Sequence, residues 1–105
     1  MEEFVTRSLL FDFYGELLTD HQRKIYQAVV FEDYSVSEVA QDEGISRQGV
    51  HDLMKRCDRI LEEYEGKMHL VEKFVRIRKK VDEIRSLTEK GSRIDRIAED
   101  ILEEI

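Results

Sequence analysis

The chain has no proline and no tryptophan, one cysteine, and only five glycines in 105 residues. Without proline no backbone N–H is missing and no preceding turn is blocked, so helical patterns run on with little punctuation. A single cysteine, Cys57, excludes an internal disulfide framework and a thiolate cluster for zinc. No apolar run comes near the roughly 20 residues that a helix needs to cross a bilayer. The opening "MEEFVTRSLL" is acidic where a secretory signal carries bases, so a cytoplasmic protein with no membrane partner is expected. There is no glycine-rich phosphate loop and no Ser/His/Asp arrangement. His21, His51 and His69 lie far apart, without Cys or carboxylate at ligand spacing. Cys57 falls on an apolar helical arc, as a small core residue does. No metal, no cofactor and no catalytic residue is therefore expected, and the chain reads as a non-enzyme.

What is present is charge and helical periodicity. A hydrophobic share of 41% is enough for a core, and 39% charged residues suit exposed helix faces. The expectation is an all-α fold: a helix-turn-helix domain over residues 1–65, then a helical extension over 66–105. The formal net charge is -7, but it is uneven. Residues 19–65 carry six bases against eleven acids, whereas 66–90 carry eight bases against four acids. Such a block is either a basic patch or simply a solvated helix face.

The apolar positions predict a first helix over roughly Glu3–Leu18, in which Gly15 marks a break or a close crossing. Thr19 caps a second helix to about Phe31, burying Ile25, Ala28, Val29 and Tyr26. In "SVSE" Ser35 and Glu38 form a capping box ahead of a short third helix, Val36 to Asp42. Gly44 ends it, because glycine takes a left-handed backbone without steric cost. Ser46 caps a fourth helix that runs to Tyr64 or Glu65, before Gly66. A fifth covers about Lys67–Leu87, and Ser92 with Asp95 repeats the capping-box spacing before a last helix to Ile105.

The third and fourth helices have the spacing of a helix-turn-helix. Gly44 supplies the turn, Ala40 the small side chain at the crossing, and Val39, Ile45, Val50 and Leu53 the shared core. At about 100° per residue, Arg47, Gln48, His51, Asp52, Lys55 and Arg59 occupy the arc opposite the apolar one. Together with the capping Ser46 they form the candidate nucleic-acid-binding set. Arg47 and Gln48 sit where a recognition helix meets base edges, and these two side chains can read guanine and adenine respectively. Between Ser46 and Arg59 there are four bases and two acids, so this face is locally positive. Asp52 opposes phosphate unless it accepts from a cytosine amino group, and Gly49 costs about 1 kcal/mol against Ala inside a helix. The plain alternative is that any amphipathic helix has a polar outer side.

In the extension, Leu70, Phe74, Ile77, Val81, Ile84 and Leu87 approach a heptad seam. Ile94, Ile97, Ala98, Ile101, Leu102 and Ile105 form a second stripe. A small domain does not easily cover both, so a homodimer is expected, with a hairpin folded back on the first helices as the alternative. Lys73, Arg76, Lys79 and Lys80 flank the seam as a secondary basic patch that can meet phosphate or an acidic protein.

Two segments carry more than a generic motif. "LFDFYGELLTDHQRKIYQ" (10–27) and "YSVSEVAQDEGISRQGVHDLMKRCDRILEEYEGKMHL" (34–70) resemble the YlxM family. Those are small helical proteins of Gram-positive bacteria, typically encoded beside the GTPase and receptor of the signal recognition particle. The resemblance implies a regulatory or accessory role in that pathway. The stretch from Leu18 to Arg59 is also similar to the sigma-70-type region 4 domain, with Ser46, Arg47, Gln48 and His51 at the start of its recognition helix. The fold expected is thus of the winged-helix-like or sigma region 4-like kind. The function expected is DNA binding by a regulator, with RNA as a further target. The competing expectation is an accessory protein that does not bind DNA but grips the particle's RNA or GTPase.

Overall fold

The computed structural model describes residues 3–105, and among them the chain forms six α-helices and no strand. It divides into two compact units, Met1–Met68 and His69–Ile105.

The first unit holds α1 (Glu3–Tyr14), one 3-10 turn (Gly15–Leu17), α2 (Asp20–Val30), α3 (Val36–Glu43) and α4 (Arg47–Met68). The capping signals fold as their chemistry dictates. Thr19 Oγ1 accepts from the Gln22 N–H at 3.1 Å while Gln22 Oε1 accepts from the Thr19 N–H at 3.0 Å. Ser35 and Glu38 exchange the same pair of bonds at the start of α3. Each box satisfies two of the donors that a helix start leaves open.

α4 is the spine, packed by α1, α2 and α3 in turn. Its apolar arc, Val50, Met54, Cys57 and Leu61, is buried against Leu10, Tyr14, Leu18, Ile25, Tyr26 and Val39. Stacked rings join the helices: Phe11 on Tyr26 at 5.7 Å and Tyr14 on Tyr64 at 6.0 Å between centroids. One polar cluster sits among them. Asp58 of α4 accepts from Arg7 Nη2 of α1 and from the Tyr26 hydroxyl of α2, both at 2.7 Å. Burial and the bond to Asp58 raise the Tyr26 phenol well above its ordinary value, so it stays a donor. Desolvation pulls the Arg7 guanidinium down, but the bond to Asp58 and its charge outweigh that and leave it raised.

Some boundaries differ from those the pattern predicts. α1 stops at Tyr14, and Leu17, assigned to its apolar side, is 53% exposed on the 3-10 turn. The chain must leave the helix there, because Leu18 is extended so that Thr19 can cap α2. α4 continues through Gly66 to Met68, and α5 starts after His69, whose backbone is left-handed (φ 56°). An exposed glycine weakens a helix without stopping it.

The second unit is an antiparallel hairpin of α5 (Leu70–Ser86) and α6 (Arg93–Glu104). Val81 and Ala98 are buried. Ser92 Oγ accepts from the Asp95 N–H, but the Asp95 carboxylate does not complete a capping box. It reaches past Ser92 to the Gly91 N–H and across to Arg85 Nε, each at 2.9 Å. The Gly91 bond and then the Arg85 bond hold its acid below the usual carboxylate range.

Replacing Asp58 by Ala removes both bonds and strands the Tyr26 hydroxyl. Hydrogen bonds to charged groups contribute about 1.5–3 kcal/mol, and a loss of about 2–3 kcal/mol is expected on that basis in urea unfolding. Asp58→Asn, which keeps an acceptor for Tyr26, should lose less. In the hairpin, a lowered folded pKa at Asp95 means stability that is present above the unfolded value near 4 and lost as pH falls through the lower folded one. Protection of the amides of residues 69–105, taken relative to their intrinsic exchange at each pH, should therefore fall below about pH 4, and Asp95→Asn should remove that acid dependence.

Candidate nucleic-acid interface

The turn between α3 and α4 is built from three residues, Gly44, Ile45 and Ser46. Gly44 has φ 69° and ψ 30°, the left-handed region that costs glycine nothing. That conformation lets the Ile45 N–H reach the Ala40 carbonyl at 3.1 Å and the Gly44 N–H reach Gln41 at 3.4 Å, closing α3. Ser46 then opens α4, its Oγ accepting from the Gly49 N–H at 2.9 Å. A Cβ on Gly49 would lie 3.2 Å from that same oxygen, so the missing side chain leaves the cap its room. The helix-propensity cost of Gly49 thus has a local return. Val39, Ala40 and Val50 are buried at the crossing. Ile45, expected in this core, is 36% exposed instead, because the turn carries it to the rim.

The candidate face lies on the first four turns of α4. Arg47, Gln48, His51, Asp52, Lys55 and Arg59 are all exposed, and the first turn holds no acid. The positive end of the helix dipole is therefore not neutralised from within. Two contacts organise the face. Arg47 Nη1 lies 3.5 Å from the Ser37 hydroxyl of α3, and Gln48 Nε2 donates to Asp52 Oδ1 at 2.9 Å. Asp52 thus holds the Gln48 amide in one orientation, leaving its Oε1 and second N–H outward. Ser37 was not among the residues expected beside Arg47; its only signal in the sequence is a place on the first turn of α3.

Three of the eleven acids of residues 19–65 are held in ion pairs away from this face. Glu43 meets Lys24 at 3.1 Å and His21 at 3.7 Å, Asp20 meets Arg23 at 2.9 Å, and Asp58 is held as described. Cys57 is buried, and desolvation with the neighbouring Asp58 charge pushes its thiol up to about 11, away from nucleophilic chemistry.

The secondary basic set is on the other unit. Lys73, Arg76, Lys79 and Lys80 are exposed along α5. At about 100° per residue they span one broad arc, but Glu72 and Glu83 fall inside it. That arc is less purely positive than the residue count suggests.

The chain matches known proteins over nearly its whole length. The family described as "Putative helix-turn-helix protein, YlxM / p13 like" matches residues 1–101. A UPF0122 protein of Caldanaerobacter subterraneus subsp. tengcongensis is 45% identical over 84 residues, 80% of this chain and 72% of that relative. One from Thermoanaerobacter sp. strain X514 is 40% identical over 110 residues, covering 99% and 94%. One from Symbiobacterium thermophilum is 38% identical over 91 residues, covering 87% and 85%.

Gly44→Ala should leave the helices intact but strain the turn. A side chain in the left-handed region costs roughly 1–2 kcal/mol, and thermal melting of the variant should register a loss of about that size.

Proposed function

This chain belongs to the UPF0122 family of YlxM / p13 like helix-turn-helix proteins, and from that premise we propose that it is a DNA-binding regulator. It acts as a cytoplasmic homodimer in the signal recognition particle pathway. The observation that carries the DNA reading is the exposed, acid-free first turn of α4, set by the Gly44 turn and followed by His51, Lys55 and Arg59. In this reading Arg47 donates to a guanine edge, and Gln48, held by Asp52, presents its amide to adenine. Lys55 and Arg59 neutralise phosphate, and the Ser37 and Ser46 hydroxyls lie beside the path of the backbone. In this reading the role is one of binding.

The pathway rests on the resemblance carried by "FDFY", "SRQ" and "LEEYEGK". A second reading is favoured by a separate observation, the exposed bases of α5. Here the protein is an accessory factor that contacts the particle's RNA or GTPase without reading DNA. Recovery of partners from native extract, with and without nuclease, separates the two. Return of proteins alone under both conditions removes the DNA reading.

Arg47→Ala combined with Lys55→Ala should weaken binding at least tenfold with unchanged helix content. Arg47→Ala alone should also relax sequence preference, whereas Lys55→Ala should not. Each phosphate neutralised adds about 0.9 to the log–log salt slope, so a magnitude of about 2–4 per subunit is expected from the few bases on the face. Unchanged binding in the double variant would remove this face from the function.

A further inference from the structure

The α5–α6 hairpin exposes more apolar surface than a solvated element carries. Ile77 and Ile84 of α5 are 39% and 41% exposed, and Ile94, Ile97 and Ile101 of α6 are 58%, 50% and 37% exposed. Their placement is regular. On α5 the pair stands four residues before and three after the buried Val81; on α6, Ile94 and Ile101 stand four before and three after the buried Ala98. In an antiparallel pair, equal offsets from the mutual contact turn both sets to the same side of the hairpin. Ile97 extends that side. The result is one continuous face, on the order of several hundred Å², the size at which apolar patches become interfaces.

The borders of this face differ in charge. Lys73 and Lys80 run along its α5 edge, with Arg76, Glu83 and Glu72 further out; Asp100 and Glu104 run along its α6 edge, with Arg93 only at the loop end. The Arg85–Asp95 bond fixes the level of the two helices. Five residues back from Arg85 is Lys80, and five on from Asp95 is Asp100, so these two lie at one height. Arg76 and Glu104 lie at another.

We propose that this face is a self-association surface: two copies close their isoleucine faces into a four-helix bundle, with α5 of each lying along α6 of the other. A two-fold axis parallel to the helices keeps every residue at its own height while exchanging left for right. It therefore sets Lys80 of one copy against Asp100 of the other, and Lys73 and Arg76 against Glu104. The alternative two-fold, with α5 on α5, sets basic edge on basic edge. Charge selects the first arrangement, and burial of the isoleucines drives it. The proposal rests on the homodimer reading above and is independent of nucleic acid.

Light scattering and sedimentation at tens of micromolar, without nucleic acid, should give about 25 kDa, twice the 12.5 kDa of one chain. Ile94→Lys with Ile101→Lys should give a folded monomer, because both side chains already face water within one chain. Lys73→Glu with Lys80→Glu, and separately Asp100→Lys with Glu104→Lys, should each weaken the dimer at least tenfold. Mixed in equal amounts, the two charge variants should pair again. If the isoleucine variant does not fold, the mixing experiment alone decides. A monomeric wild type, a dimeric isoleucine variant, or charge variants that fail to rescue each other would overturn the proposal. Arg47→Ala with Lys55→Ala must leave the mass at the dimer value; lost or unchanged DNA binding there bears on the reading face alone.

Discussion

The carboxylate of Asp58 is where three helices of the first unit meet. It accepts from Arg7 on α1 and Tyr26 on α2 while belonging to α4. A buried tyrosine hydroxyl and a part-buried guanidinium need acceptors, and an isolated carboxylate in the same place would be costly. Together they satisfy one another in the rotation that α4 adopts. That rotation turns Val50, Met54, Cys57 and Leu61 inward and leaves Arg47, Gln48, His51 and Lys55 in water. One helix thus carries the core on one side and the exposed bases on the other, and the polar cluster holds the rotation that the apolar periodicity of α4 already favours.

For an acidic chain to contact a polyanion, as proposed above, its charges must be sorted. Pairing does part of that sorting here. Glu43 is taken up by Lys24 and His21, Asp20 by Arg23, Asp58 by Arg7. Asp52, the one acid on the reading arc, is bonded by Gln48 and acts on the orientation of an amide. Exposed pairs such as these contribute little to stability. Their effect is on the field near α4, which at physiological salt extends only about 8 Å. Close contacts can then be favourable although the whole molecule repels DNA at a distance.

The second unit repeats the device of the first on a smaller scale. A single carboxylate, Asp95, joins the loop N–H of Gly91 to Arg85 across the hairpin. It sets the register of α5 against α6 and leaves only Val81 and Ala98 to fill the seam near it. A two-helix unit has one side to bury and two stripes to cover. The surplus isoleucines are the consequence, and they give the hairpin its outward chemistry.

Everything decided within four residues was legible in the sequence: the boxes at Thr19/Gln22 and Ser35/Glu38, the caps at Ser46 and Ser92, and the left-handed turn at Gly44. Such features depend on backbone geometry and on a side chain's reach to its own helix, and residue type at fixed spacing specifies both. The arc of α4 was legible too, because periodicity alone separates its two sides. Contacts between distant parts of the chain were not. Arg7 and Asp58 are 51 positions apart and Tyr26 and Asp58 are 32, and no local pattern links them. Leu17 and Ile45 have the residue type of core positions yet stand partly in water, as do Ile77 and Ile84 on the expected seam. An apolar stripe states what a helix can bury, whereas only the packed chain decides which part of it meets a partner, because burial belongs to pairs of surfaces and not to single residues.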